Sequence, residues 1–276
     1  MAALVSFILS LFRNSTRNHF THAFGLRFPP VLHKIVTENF IKNFKEVFVI
    51  GDVHGCFDEL IELLEKADVT KDSCLKIFVG DLVNKGPKSL EVVRLLRNTP
   101  YSTLCVRGNH DEVVLELYHK KVSGEHHLTK HSAWINEFSE DDIDYLQNLP
   151  YTITLPSLNV IVVHAGLVPG LPMERQDPRH MVSMRNLTIK DYFWEGGIQA
   201  TNSNQEGEPW GSLWPGPEHV YFGHDARRLL QLYSYATGLD TGCVYGKELT
   251  GVFIAGPRKG TFVSVTAQHM YEKPKG

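Results

Sequence analysis

From Glu46 onward the chain alternates short, wholly apolar runs with amphipathic ones. "VFVI" at 47–50 predicts a buried strand, "FDELIELLEKA" at 57–67 a helix with Leu60, Leu63 and Leu64 on one stripe, and "LKIFVG" at 75–80 the next strand. The alternation repeats: "SLEVVRLLRN" (89–98) reads as helix, "STLCVRG" (102–108) as strand and "DEVVLELYHKK" (111–121) as helix. Strand, crossover helix and strand in succession predict a parallel sheet covered by helices. After Pro150 the helical texture fades. Six runs, "YTITL", "NVIVVHAG", "HVYFGH", "LLQLYSYATGLD", "LTGVFIA" and "TFVSVTA", predict a second, mixed or antiparallel sheet. Residues 166–180 and 195–218, rich in Gly, Pro, Asn and Ser, are expected as long surface loops of the kind that roof a site.

Residues 1–45 have a different texture. "MAALVSFILSLF" is apolar but too short to span a bilayer comfortably, and the charged residues up to Glu38 are all basic: Arg13, Arg17, Arg27 and Lys34. That is the composition of a targeting segment, with a mitochondrial or endomembrane address, and equally that of a terminal extension on a cytoplasmic protein. The expected division is an extension at 1–45 and one domain at 46–276. A length of 276 residues, 42% of them hydrophobic and 21% charged, suits a globular domain with a sizeable core. A net charge of −3 excludes any general drive toward nucleic acid or membrane surfaces, so a phosphate-bearing ligand must be held locally. Cys56, Cys74, Cys105 and Cys243 form no CxxC pair, which argues against a disulfide framework or a zinc knot and for reduced, buried thiols.

Chemistry collects where the strands end. "GDVHG" (51–55), "GDLVNKGP" (80–87) and "RGNHD" (107–111) follow the first three strands, and "VHAG" (163–166) and "FGHD" (222–225) close two later ones. Each fragment alone is a common turn. Five of them at the carboxyl ends of strands in an alternating fold can converge on one crevice. Carboxylate, imidazole and amide oxygen form a mixed ligand set suited to divalent first-row metals rather than to calcium. Asp52 and His54, two apart on an extended strand end, are expected to point the same way and share an ion. Asp81 is placed to bridge two ions, and Asn109, His164 and His224 to complete the second.

The order GDVHG, GDLVNKGP, GNHD, HAG, GHD resembles the metallophosphoesterases, and within them the phosphoprotein-phosphatase superfamily. "GDLVNKGP", "MRNL" and "FGHDARRLLQ", with "TGLDTGCVYGKELTGV", are most similar to the ApaH-like phosphatases, relatives of bacterial symmetrical diadenosine tetraphosphatase. The resemblance covers residues 46–267. It implies a four-layer α/β/β/α sandwich of two mixed sheets with flanking helices. It also implies two divalent ions (manganese, iron, cobalt or zinc), with Asp52, His54 and Asp81 on one and Asp81, Asn109, His164 and His224 on the other. In that family a hydroxide bridging the metals attacks phosphorus, and the position of His110 protonates the leaving oxygen.

Two departures bear on substrate. Lys85 stands where the protein phosphatases have arginine, a point charge in place of a bidentate fork, so among the phosphate-binding candidates Lys85, Arg185 and Arg107 the grip is expected to depend more on Arg185, with Arg107 more readily read as structural. Asn84 stands where they have the aspartate that partners the catalytic histidine; it can orient His110 but not stabilise its cation, and Asp111 is a candidate helper. The tetraphosphatase-like group lacks that aspartate too. The expected substrates are therefore phosphoanhydrides, such as dinucleoside polyphosphates, capped RNA ends or polyphosphate. A protein Ser/Thr phosphatase and an inactive binding protein of the same fold are the competing readings. Trp194, Trp210 and Trp214 are candidates to stack a base, and no extended nucleic-acid surface is expected.

Overall fold

A computed structural model describes residues 26–70, 73–189 and 197–274. β1 (His33–Ile35) and a single-turn helix α1 (Glu38–Ile41) lead into β2 (Glu46–Ile50). The predicted alternation follows as α2 (Phe57–Lys66), β3 (Cys74–Phe78), α3 (Ser89–Asn98), β4 (Thr103–Cys105) and α4 (Asn109–Val122). β2, β3 and β4 run parallel, as strands joined by crossover helices do. The chain continues through α5 (Glu140–Gln147), β5 (Thr152–Leu155), β6 (Val160–Val163), α6 (Pro178–Ser183) and β7 (Asn186–Ile189). It ends with β8 (Ile198–Thr201), β9 (Glu208–Pro209), α7 (Trp210–Leu213), β10 (His219–Phe222), β11 (Gln231–Leu232), β12 (Ala236–Gly238), β13 (Glu248–Ala255) and β14 (Phe262–Thr266).

Two mixed sheets stack face to face, one ordered β14-β13-β2-β3-β4 and the other β1-β5-β6-β10-β12-β11. The period of two along each strand builds the layers. In β2, Val47 and Val49 face the second sheet, where they meet Ile153, Val160 and Val162, while Phe48 and Ile50 face the helices. There Leu60 and Leu63 of α2, Val92 and Leu96 of α3 and Leu146 of α5 close the outer core. On the far side Ile161, Val163 and Phe222 pack against Met181 of α6 and Trp210 of α7. The result is the α/β/β/α sandwich with flanking helices that the resemblance implied.

Three elements depart from the sequence reading. β13 and β14, expected in the second sheet, extend the first, with β13 antiparallel to β2. Gly251 makes that pairing feasible, because a Cβ there would lie 2.3 Å from the Phe48 ring. "LLQLYSYATGLD" is not one strand but the short antiparallel pair β11 and β12. The expected loop at 166–180 runs into α6, and that at 195–218 contains α7 and the strands β8 and β9, which flank β7 in a small sheet.

The boundary expected at residue 46 also falls inside packed chain. β1 pairs in parallel with β5, and Val36, Ile41 and Phe44 are buried between the sheets. The apolar run "MAALVSFILSLF" and Trp194 lie outside the described residues. Among the described residues no helix is long and apolar enough to cross a membrane.

Candidate metal centre

Five strands, β2, β3, β4, β6 and β10, end on one side of the sandwich, and their following loops interlock. The His54 N–H donates to Asp81 O (2.8 Å) and the Gly86 N–H to His54 O (2.9 Å). The buried carboxylate of Asp111 accepts from Gly108 N (2.8 Å), Leu82 N (2.9 Å) and Asp81 N (3.1 Å), tying the β3 loop to the start of α4. His54, Asp81, Asn84, Lys85 and His224 all take positive φ, between 47° and 75°. Left-handed backbone at non-glycine residues persists only where surroundings over-determine it. His54 therefore reaches the site through a turn, not through the strand pleat that the sequence reading invoked.

Asp81 lies at the centre. Its Oδ2 is 3.3 Å from His54 Nε2 and its Oδ1 3.4 Å from His164 Nε2. Potential ligand atoms of Asp52, Asp81 and His164 lie within 4.8 Å of one another, as do those of His54, Asp81 and His110. Asp81 thus belongs to both groups, while the other members divide differently from the expected sets. Asn109 Oδ1 stands 3.0 Å from both His164 Nε2 and His224 Nδ1, and Asp52 Oδ2 accepts the His224 N–H (3.0 Å). All six expected ligand residues are thereby gathered.

Their hydrogen bonds show whether a cation fits. His54 Nδ1 faces Val83 O (3.2 Å), His164 Nδ1 faces Val79 O (2.9 Å) and His224 Nε2 faces Ser183 O (3.0 Å). A carbonyl can only accept, so each of these nitrogens carries the proton and the other holds a lone pair. Three imidazole lone pairs then point at carboxylate and amide oxygens, an arrangement that repels unless positive charge sits among them. Burial holds all three rings neutral, with pKa values pushed down from the ordinary value, and the cations Lys85, for His54, and Arg185, for His224, push the same way. Asp52 Oδ1 is buried without a hydrogen-bond partner. Burial and the neighbouring Asp240 and Asp81 carboxylates raise the pKa of Asp52. Lys85 Nζ, 3.1 Å from His54 Nε2, already places one cation against a ligand lone pair. The donor set fits divalent metal.

Beside this centre opens a cavity of about 1100 Å³, lined among others by His110, Asn84, Lys85 and Arg185. Asn84 Oδ1 accepts the Lys85 N–H (2.9 Å), which turns its Nδ2 toward His110 Nδ1 at 3.0 Å. Three expected roles do not match the geometry. Arg107 is fully buried, held by Tyr151 OH (3.3 Å) and Gln147 O, and is a core residue, not a phosphate contact. Asp111 braces backbone N–H groups, including that of Asp81, and positions the loops instead of helping His110. Trp210 packs in the core on Phe222, and Trp214 donates to Glu218 O; neither lines the cavity. The wall instead carries Trp134, Tyr245, Arg227, Lys247 and Lys273.

Asp240 was missed although "GLDTG" follows β12 in the same strand-end pattern. It is buried at the cavity, with a pKa pushed up to about 6 by burial against the pull of the Gly242 N–H.

Residues 45–246 match the profile of the calcineurin-like phosphoesterases. A symmetrical bis(5'-nucleosyl)-tetraphosphatase of Coxiella burnetii is 30% identical over 260 residues, covering 75% of this chain and 88% of its own. An asymmetrical bis(5'-nucleosyl)-tetraphosphatase of Halalkalibacterium halodurans is 29% identical over 248 residues, covering 78% and 95%. A crystal structure provisionally described as a diadenosine tetraphosphatase superposes with a TM-score of 0.73 at 38% identity, over 86% of this chain and 98% of that one. The matched profile spans most of the chain and the fold is shared with that crystal structure, so the chain belongs to the calcineurin-like phosphoesterase family of metal-dependent hydrolases.

Proposed function

We propose that the protein hydrolyses phosphoanhydride bonds in a small polyphosphate, with diadenosine tetraphosphate as the representative substrate. Asp52, His54, Asp81, Asn109, His164 and His224 would hold two divalent ions, Asp81 serving both. Such ions supply Lewis acidity toward phosphoryl oxygens and a potent nucleophile at neutral pH. The residues of the chain do the rest. Lys85 and Arg185 bind non-transferred phosphate oxygens, and Arg227, Lys247 and Lys273 extend the positive wall along a multiply charged substrate. The interlocked loops fix the phosphorus relative to the ligand set.

The observation that carries the substrate class is the Asn84–His110 contact. Because Asn84 presents Nδ2, a donor, to His110 Nδ1, the ring accepts there and bears its proton on Nε2. A second proton on Nδ1 would face that donor, so Asn84 gives the imidazolium none of the support a carboxylate would, and in this tautomer His110 offers a hydrogen bond from Nε2. An alkoxide leaving from phosphoserine is strongly basic and needs the proton. A phosphate leaving from an anhydride does not, since its last pKa is near 6. The protein phosphatase reading asks for a carboxylate-supported proton donor where this site has Asn84.

Hydrolysis of diadenosine tetraphosphate, polyphosphate, capped RNA and a phosphoserine peptide, compared under one set of metal conditions, tests the reading. Faster turnover of the peptide would decide for a protein phosphatase. No hydrolysis of any of these, or of p-nitrophenyl phosphate, with manganese, cobalt or zinc present would decide for a binding protein. Asn84→Asp, which supplies an acceptor for a protonated ring, is expected to raise kcat/KM on the phosphoserine peptide relative to the anhydride by about tenfold, the equivalent of one pKa unit. An unchanged ratio would contradict the role given to Asn84. The relatives carry both symmetrical and asymmetrical names, so the products, two ADP or AMP with ATP, are the readout for which bond is cut.

A further inference from the structure

A second group of side chains of the metal-ligating type lies outside the cavity beside Asp81. Cys56 caps α2, Glu59 sits in its first turn, and Cys243 comes from the loop between β12 and β13. All three are buried, and their potential ligand atoms lie within 4.8 Å of one another. None of them lines the cavity. Glu59 is held as a ligand is held: its Oε1 accepts the Gln268 N–H (2.9 Å) and the Tyr271 hydroxyl (2.8 Å). Its Oε2 is buried with no hydrogen-bond partner. A buried, oriented carboxylate oxygen left unsatisfied costs free energy that some partner should recover.

From this juxtaposition we infer a structural metal site of two thiolates and one carboxylate, Cys56, Cys243 and Glu59, that takes zinc or a similarly thiophilic divalent ion. Thiolate donors select zinc over the harder manganese or magnesium, so this site and the N/O centre at Asp81 differ in preference. Zinc–sulfur bonds of about 2.3 Å and zinc–oxygen bonds of about 2.0–2.2 Å put ligands on one tetrahedral ion within roughly 4 Å of each other, so small rotamer changes suffice. Binding releases the two thiol protons and leaves a fourth position for water. A Cys56–Cys243 disulfide accounts for the cluster less well, because it leaves Glu59 Oε2 unpaired. The ion would join two separate pieces of chain, the loop that carries His54 and the loop that carries Asp240, while the C-terminal strap reaches it only through the hydrogen bonds of Gln268 and Tyr271 to Glu59. The missing CxxC spacing hid it, since the two cysteines come from opposite ends of the domain.

Cobalt substitution reads this site alone, because only a thiolate ligand gives a near-ultraviolet sulfur-to-cobalt charge-transfer band. Metal-free full-length protein loaded with Co²⁺ is expected to show that band, to lose it in Cys243→Ser and in Cys56→Ser, and to keep it in Asp81→Asn. Added Zn²⁺ should bleach it. Wild-type protein without the band, with both thiols open to a mercurial titrant in the presence of zinc, would overturn the inference. So would a mass two hydrogens lower that locates a Cys56–Cys243 disulfide in the isolated protein. The wild-type and Asp81→Asn spectra decide the matter even where a cysteine variant fails to fold, and loss of hydrolysis in Asp81→Asn leaves the band untouched.

Discussion

Single residues at the centre are legible in sequence when their chemistry is local and illegible when it depends on packing. Asp52, Asp81, Asn109, His164 and His224 announce themselves as polar residues within two positions of a glycine where an apolar run stops, and the structure gathers them. Arg107 sits in the same kind of turn, yet its guanidinium points into the core, a direction that no spacing rule encodes. Gly223 shows how tightly the gathered side chains are set, for a Cβ there would lie 1.8 Å from Asp52 Oδ1. Gly223→Ala should push that carboxylate out of place and lower kcat/KM on diadenosine tetraphosphate by about 100-fold or more, the size of effect that displacement of about an ångström produces. Near-wild-type kcat/KM in that variant would show that Asp52 tolerates displacement and is no ligand.

At the scale of elements, periodicity finds strands and helices but not their partners. β13 and β14 were recognisable as strands, while their place beside β2 depends on Gly251 and on contacts across the whole chain. α5 went unread although Ser139 and Asp142 form a capping box, each side chain bonding the other's backbone N–H. The turn from β13 to β14 is pinned by Arg258, whose guanidinium grips the Glu46 carboxylate (Nε to Oε1 2.9 Å) and lies 3.9 Å from the centre of the Phe253 ring. The Arg258 hydrogen bond holds the Glu46 pKa below the ordinary glutamate value. A carboxylate depressed in the folded state stabilises above its unfolded pKa and loses that contribution as pH falls through the folded one. Arg258→Ala should therefore cost about 1 kcal/mol in denaturant unfolding at pH 7, discounted for partial exposure. The difference from wild type should shrink below about pH 4, and a deficit that grows on acidification would contradict this sign.

For the whole molecule, the sandwich was legible because two periodicities, 3.6 and 2, alternate clearly between Glu46 and Val122, and because the later strands keep their own period. The N-terminal boundary was not, since β1 contributes little apolar signal and holds its place by pairing with β5. Deletion of residues 1–45 is expected to remove β1, expose the interlayer core and lower Tm, whereas a cut before Leu26 leaves the described fold intact. A fluorescent fusion therefore reads targeting separately from folding only with the shorter deletion. Equal Tm for both deletions would show β1 to be dispensable. The central claim, that loops from five strands assemble one centre for two cations with Asp81 common to both, is most directly tested by electron paramagnetic resonance of metal-free protein titrated with Mn²⁺. Wild-type protein should develop the signal of an exchange-coupled manganese pair in step with diadenosine tetraphosphate hydrolysis, and Asp81→Asn should show isolated ions without hydrolysis. A coupled pair that persists in Asp81→Asn, or active wild-type protein that never develops one, would contradict the account.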